Sequence, residues 1–405
     1  METELELVRG EGPYLFTPDG TRYLDLATGI AVNAVGYSHP KVLAAIDEQV
    51  HRHLHLYSGT AYQQVLVAFA EALQKEIGPS YKLFFGNSGT EAVEAAVKLS
   101  RFATGRPAVI AFRGSFHGRS LGALSLTDSA ARYRSPYEPL LPAVYHVDYP
   151  APTRLGMTPD EALAHVQQQI ARLLETDVAP ERVAAIVLEP IQGEGGYVIP
   201  PDGFLPWLRD LTAKHGILLA VDEVQSGMGR TGRMFAYQHS GIEPDLVIMG
   251  KALGGGMPLS ALAARTELAD RWTPGAHGTT FGGNPVSCAA GLATLEVIRE
   301  ESLMEVATQL GEAALRQLAP LAELPCVKEV RARGLMIAVE FAGAEGGARA
   351  QQVVTESLAD HMILHMAGLK HEVIRLMPPL NIPAGVFADA LDRLSTIVRR
   401  VCSAN

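Results

Sequence analysis

The chain has 405 residues, 47% hydrophobic and 19% charged, a balance that excludes a disordered or fibrous protein. Its formal net charge of −10 argues against nucleic acid or an anionic membrane as a general partner, while leaving room for a local basic pocket that takes a small anion. The opening "METELELVRGEG" is acidic where a leader needs basic and apolar residues, and no window nears the ~20 apolar residues of a membrane span, so a cytoplasmic protein is expected.

Near the start, "GPYLFTPDGTRYLDLATG" reads as a hairpin turning at Asp19-Gly20. "HRHLHLY" sets His51, His53 and His55 at period two, but no carboxylate or cysteine accompanies them at ligand spacing, and no metal site is expected. Further on come short apolar runs with little alternation: "YKLFFGN" (81–87), "AVIAF" (108–112), "VAAIVLEP" (183–190), "ILLAVDEV" (217–224) and "DLVIMGK" (245–251). Such runs are the mark of strands covered on both faces. Between them lie helical patterns. "SGTEAVEAAVKLSRFATG" carries Glu91 and Glu94 early and Lys98, Arg101 and Gly105 late, which suits the helix dipole at both ends. Asp202 is expected to cap "GFLPWLRDLTAKH", which Gly216 ends.

Alternating strands and helices predict an α/β fold with a mostly parallel sheet flanked by helices. Residues 46–299 form the expected large domain. Residues 1–45 and 300–405, with one strand at "LMIAVEF" (335–341), form a smaller α+β domain from both chain ends. Cys288, Cys326 and Cys402 are odd in number and far apart, and are read as free thiols of a reducing compartment.

Ligands of such sheets sit at the carboxyl ends of the strands. "LAVDEVQSGMGRTGRMF" holds a literal G-x-G-x-x-G at Gly227, Gly229 and Gly232, the spacing of a dinucleotide loop. The preceding strand, however, ends in Asp222 and Glu223, two carboxylates where pyrophosphate would lie, and only about two helical turns follow. An NAD-linked oxidoreductase is therefore the weaker reading. A carboxylate at a buried strand tip calls for a cationic partner. "DLVIMGK" ends in Lys251, followed by the glycines of "ALGGGMP" that allow a ligand close to the backbone. Desolvation there favours a free amine, as a nucleophilic lysine requires, although a structural pairing with Asp222 fits the same spacing. Ser88, Gly89 and Thr90, at the start of a helix after a strand, can present hydroxyls and N–H groups to an anion, or simply cap the helix. Anion cradle, strand-tip aspartate and glycine-flanked lysine together describe a pyridoxal-phosphate site, with Phe116 and His117 of "FRGSFHGRS" available to stack on the ring.

The sequence resembles the class III pyridoxal-phosphate aminotransferases, the group of 4-aminobutyrate, acetylornithine and ornithine aminotransferases. The likeness runs from "GTRYLDLATGIAVNAVGYSHP" through "VLEPIQGEGG", "LLAVDEVQSGMGRTG", "KALGGGMPLSA" and "GTTFGGNP" to "VIRLMPPLNIP", nearly the whole chain. It implies fold type I, pyridoxal 5′-phosphate as cofactor and a homodimer with active sites shared between subunits. By position, Lys251 resembles the lysine that binds the cofactor and moves the proton. Asp222 resembles the partner of the pyridinium nitrogen, and Gln225 the donor to the phenolic oxygen. Ser88, Gly89 and Thr90 resemble the phosphate grip, completed by Thr280 from the other subunit, and Phe116, beside His117, the stacking ring. Arg375 resembles the arginine for the α-carboxylate, Glu194 the gate over it, and Arg119 the arginine for the remote carboxylate. Thr279 and Ile30 fall with the substrate. The resemblance implies a ping-pong transfer of an ω-amino group to 2-oxoglutarate, giving a semialdehyde and glutamate. Ile30 stands where ornithine-type enzymes carry tyrosine, which tilts against free ornithine. "GIAVNAVG" leans towards acetylornithine enzymes, whereas "EAVEAAVKLSRFATGRPAVIAF" and "HEVIRLMPP" lean towards 4-aminobutyrate enzymes, the reading the sequence favours. A racemase of the same family would share the lysine and cofactor.

Overall fold

The computed structural model describes residues 5–403. The first strands, β1 (Arg9–Glu11), β2 (Tyr14–Phe16) and β3 (Arg22–Asp25), form an antiparallel meander. Phe16 pairs with Arg22 across the Asp19-Gly20 turn, where Gly20 has φ +87°, a conformation that favours glycine. Next come β4 (Tyr81–Gly86), β5 (Ala108–Phe112), β6 (Val144–Val147), β7 (Val183–Leu188), β8 (Leu218–Asp222), β9 (Leu246–Met249) and β10 (Ser260–Arg265). They build one seven-stranded sheet in the order β4-β10-β9-β8-β7-β5-β6. The run β9-β8-β7-β5-β6 is parallel, and β10 lies antiparallel to both neighbours, so the sheet is mostly parallel as expected.

Every residue of β5, β7 and β9 is buried. Period-two alternation divides them between two cores: Ile110, Ile186 and Val247 face one, while Val109, Val187 and Ile248 face the other. Each core is roofed by helices, among them Gly89–Thr104 on one side and Phe204–His215 and Pro285–Glu300 on the other. Ala92, Ala95, Ala96 and Ala103 of the first helix are buried, and their small side chains let it lie close on the sheet.

The last strands, β11 (Val327–Arg333), β12 (Met336–Phe341), β13 (Met362–Ile363), β14 (His365–Ala367) and β15 (Val373–Leu376), join the chain start. β13 pairs parallel to β3, and β11-β12-β15-β14 form an antiparallel sheet. Both chain ends thus build one neighbourhood beside the large sheet.

Two expectations fail here. Asp202 does not cap the helix Phe204–His215. Gly203 occupies the cap without a side-chain bond, and Asp202 is exposed, 3.8 Å from Arg333. Nor are all three cysteines free: Cys326 and Cys402 form a disulfide with Cα atoms 6.0 Å apart, and only Cys288 remains a buried thiol. They are 76 positions apart, brought together by the terminal helix Ala384–Ser403, whose buried face packs in the same core as Val327. Spacing in the sequence conceals such a contact. Among the described residues no helix is long and apolar enough to cross a membrane.

Candidate active site

The carboxyl ends of the parallel strands converge on one group of charges. Asp222 closes β8, buried, and accepts a hydrogen bond from Val224 N–H at 3.1 Å. His117 Nδ1 lies 2.7 Å from Asp222 Oδ2, and both side chains are out of water. Burial opposes a charge on His117, but the hydrogen bond and charge of Asp222 outweigh it and raise the imidazole pKa above its ordinary value. His117 therefore acts first as a partner of Asp222 and less as a stacking ring. Its Nε2 is buried and unpartnered. Glu223, the second carboxylate of the strand tip, serves structure: it accepts from Ser226 Oγ at 2.6 Å and Tyr237 N–H at 2.8 Å.

Lys251 follows β9 after Gly250 and adopts φ +47°, a left-handed conformation that costs a side-chain-bearing residue energy. A Cβ on Gly250 would stand 3.4 Å from Gly89 Cα, so the lysine starts out against the turn that begins the Gly89–Thr104 helix. Its ammonium makes no hydrogen bond or ion pair among the described residues. Burial lowers its pKa to about 8, modulated by the charges of Glu194, Arg375, Glu189 and Asp222 around it.

At the helix start, Glu91 draws in the backbone, accepting from Asn87 N–H at 2.5 Å and Ser88 N–H at 3.2 Å. Ser88 is exposed, Gly89 half-buried, and the Thr90 hydroxyl pairs with Ser120 Oγ at 2.7 Å. The neighbouring Arg119 is exposed, stands over the Tyr133 ring at 4.8 Å and the Phe116 ring at 6.0 Å, and has no ion-pair partner among the described residues. Phe116 itself is fixed by its N–H, which donates to Glu189 Oε1 at 2.9 Å. Thr279 reaches Asn87 Nδ2 at 3.2 Å beside the same turn, while Thr280 is exposed and touches none of these groups through a hydrogen bond.

Arg375 lies in β15, 2% exposed, and is closed off by Glu194 Oε1 at 2.8 Å from Nη2. Burial pushes the Glu194 carboxyl up, but the cations Arg375 and Lys251 outweigh it and hold its pKa below the usual range. Gln225 Oε1 accepts from Arg375 Nη1 at 3.5 Å, and its amide packs so near Gly193 that a Cβ there would be 2.5 Å from Nε2. Ile30 sits in an unusual turn: Thr28, Gly29, Ile30 and Ala31 all have positive φ, between 49° and 65°. Left-handed backbone costs roughly 1–2 kcal/mol per ordinary residue. Buried Asp25 holds the turn, accepting from Ala27 N–H at 2.7 Å, Thr28 N–H at 2.9 Å and Tyr37 Oη at 2.5 Å. Ile30 packs against the cluster of Ile191, Tyr197 and Met377, an apolar wall.

Glu189 was overlooked in the sequence. It is buried just past β7, accepts Phe116 N–H and Gly193 N–H (2.8 Å), and is pushed up to about 7 by burial. Its signal was the one that revealed Asp222, a carboxylate ending an apolar run. The glycines of "GMGRTG" form turns, with Gly229 at φ +84° and Gly232 at +89°, and lead only into the short helix Ala236–Ser240. No helix N-terminus is offered there to a pyrophosphate.

Converging strand tips, a desolvated lysine and a buried aspartate place the molecule among α/β enzymes that work through a covalently held cofactor. Residues 1–398 match the family model Aminotransferase class-III, and the chain belongs to that family. An acetylornithine aminotransferase from Methanopyrus kandleri is 43% identical over 97% of this chain and 94% of its own. A 4-aminobutyrate aminotransferase from Mycobacterium bovis is 37% identical over 97% and 90% respectively. The fold superposes on a pyridoxal-phosphate-bound amine transaminase from an uncultivated Pseudomonas species with a TM-score of 0.91, at 29% identity, covering 97% of this chain and 95% of that one. Enzymes of this family depend on pyridoxal phosphate, and the residues present fit it: an amine without a hydrogen-bond partner and an aspartate-bound imidazole lie at one strand-end cleft.

Proposed function

We propose that this enzyme moves the ω-amino group of N-acetylornithine to 2-oxoglutarate, releasing the semialdehyde and glutamate. The observation that carries the reading is the unequal state of two arginines. Arg375 is covered by Glu194, whereas Arg119 is exposed and, among the described residues, without an ion pair. An ω-amine donor needs one remote carboxylate site and no second one, and 2-oxoglutarate needs both. Among the relatives, those named for acetylornithine stand at 39–43% identity and those named for 4-aminobutyrate at 37%, which favours the former donor over the motif-based lean. Ile30, packed on Ile191 and Met377, offers a free α-ammonium no hydrogen-bond acceptor of its own, as a donor with an acylated amine prefers. 4-Aminobutyrate is the second reading, on the strength of that 37% relative and the stretches around residues 91–112 and 371–379.

Bound pyridoxal phosphate supplies an electron sink for the pair left when the donor carbon loses its proton. Lys251 holds the cofactor and then moves that proton on Nζ, aided by a pKa near its working range. Asp222, backed by His117, places a buried negative charge for the ring nitrogen. The turn 88–90 takes the phosphate and Phe116 covers the ring. Arg119 orients the donor through its carboxylate. Glu194 keeps Arg375 neutralised until 2-oxoglutarate arrives, when Arg375 offers a two-pronged grip. Thr280 and the exposed Phe281, Tyr62 and Leu54 are the surface on which a second copy would complete the site as a homodimer. A cytoplasmic setting belongs to this reading.

Steady-state turnover with 2-oxoglutarate as acceptor tests it. N-acetylornithine should give a kcat/KM at least ~10-fold above that of 4-aminobutyrate and L-ornithine, a difference of about 1.4 kcal/mol. Higher turnover of 4-aminobutyrate would move the assignment to the second reading.

A further inference from the structure

The segment "GMGRTG" is left unused by the chemistry above, yet it contains Arg230, 2% exposed and among the largest fully buried side chains. A buried guanidinium usually has a carboxylate, because an uncompensated ion costs several kcal/mol. Arg230 makes no ion pair among the described residues. Its Nη1 donates to Pro378 O at 2.5 Å and to Leu335 O at 3.5 Å, and its own carbonyl accepts Leu335 N–H at 2.9 Å.

Those acceptors have a meaning in the register. β12 and β15 pair through Ile337 and Leu376, so the next pair of the same kind, two positions outward on each strand, is Leu335 with Pro378. The ladder cannot continue there, since Pro378 and Pro379 carry no N–H. Arg230 reaches across from the loop after β8 and supplies donors to both strand ends. The contact is close enough that a Cβ on Gly334 would stand 2.5 Å from the Thr231 carbonyl carbon. On the same side, Tyr197 Oη donates to Met377 Sδ at 3.1 Å, and the Arg375 guanidinium lies 6.0 Å from the Tyr197 ring.

We propose that Arg230 is a positioning residue that latches the exit of β15 to the large sheet and so fixes the reach of Arg375 towards the α-carboxylate of a 2-oxo-acid. Arg375 lies three residues before the latched carbonyl. Met377 and Leu380 on either side of the prolines donate to Leu26 O and Ala34 O, both at 2.7 Å, so those bonds tie the exit of β15 to the chain start, and Arg230 supplies its tie to the loop after β8. A shift of about 1 Å in a binding group costs as much as 100-fold in rate, which makes the latch matter. The role in recognition rests on the proposed function, whereas the latch itself rests on the hydrogen bonds.

The test compares wild type with Arg230→Met and Arg230→Lys by hydrogen–deuterium exchange and by the two half-reactions of the holoenzyme. Exchange in residues 373–380 should quicken in Arg230→Met and less in Arg230→Lys, while β5 and β7 keep wild-type protection. KM for 2-oxoglutarate should rise ~10-fold or more in Arg230→Met, with the ω-amine half-reaction changed less than ~3-fold. Unchanged exchange over 373–380, or equal losses in both half-reactions, would overturn the proposal. If Arg230→Met does not fold, the same comparison is read from Arg230→Lys. A wild-type enzyme that ignores 2-oxoglutarate would defeat the proposed function, and the exchange data would still decide the latch.

Discussion

Glu194 Oε1 lies 2.8 Å from Arg375 Nη2, so the arginine proposed to receive an α-carboxylate is occupied by the protein's own carboxylate. The pair shares the strand-end cleft with Lys251, on which both partners act electrostatically. In the proposed mechanism this charge pair is a gate: it would hide a cation from donors whose reacting carbon bears no carboxylate and yield to 2-oxo-acids, whose reacting carbon does.

Replacing Glu194 by alanine should leave Arg375 open in both half-reactions. Donor kcat/KM should fall by about 10-fold for the ω-amine and rise for L-glutamate used as donor, since each tenfold is about 1.4 kcal/mol. Stopped-flow half-reactions with the two amines give both numbers. Parallel losses for both donors would mean that Glu194 is a structural anchor only.

Lys251 carries a pKa lowered by burial to about 8 from an ordinary 10.5. Between those values the unfolded chain holds a proton that the folded one has released. The lysine's contribution to the stability of cofactor-free enzyme therefore rises with pH across that window. The same shift predicts that recapture of pyridoxal phosphate by cofactor-free enzyme accelerates as pH passes through about 8 and then levels off. Borohydride reduction of the holoenzyme should leave the cofactor's mass on residue 251, and Lys251→Ala should carry none.

Ile30→Tyr tests the apolar wall. Tyrosine places a hydroxyl beside Ile191 and Tyr197, where an α-ammonium would otherwise be desolvated without a partner. Turnover of L-ornithine should rise by ~10-fold relative to N-acetylornithine, a change of about 1.4 kcal/mol. An unchanged donor ratio would place the specificity elsewhere.

The Cys326–Cys402 disulfide closes a span of 76 residues and pins the terminal helix. Cross-links of this span contribute about 2–4 kcal/mol, so reductant or Cys326→Ser should lower Tm by several degrees while transamination at 25 °C persists. Alkylation of the native protein before unfolding, followed by mass spectrometry, counts the thiols. Three free thiols in freshly isolated protein would contradict the pairing of Cys326 with Cys402.

The inner parallel strands β5, β7, β8 and β9 were legible because burial on both faces leaves an uninterrupted apolar run, as in "AVIAF" and "DLVIM". β10, "SALAAR", and β6, "VYHV", were missed: one is rich in alanine, which also suits helices, and the other is too short and mixed to show a period. Asp222 and Lys251 announced themselves as charges ending apolar runs, and Glu189 carried the same mark unheeded. The left-handed turn at residues 28–31 has one glycine to betray it, because Asp25 and Tyr37 hold it from outside. Arg230 was hidden by its glycines, which suggested a ligand loop when the work falls to the side chain between them.

The most direct measurement is the visible absorbance of the holoenzyme during stepwise addition of N-acetylornithine, then 2-oxoglutarate, with 4-aminobutyrate and L-ornithine in parallel. The account predicts that N-acetylornithine bleaches the cofactor band at the lowest concentration and that 2-oxoglutarate restores it with release of one glutamate per site. A band that none of the ω-amines bleaches, or that 2-oxoglutarate fails to restore, would contradict it.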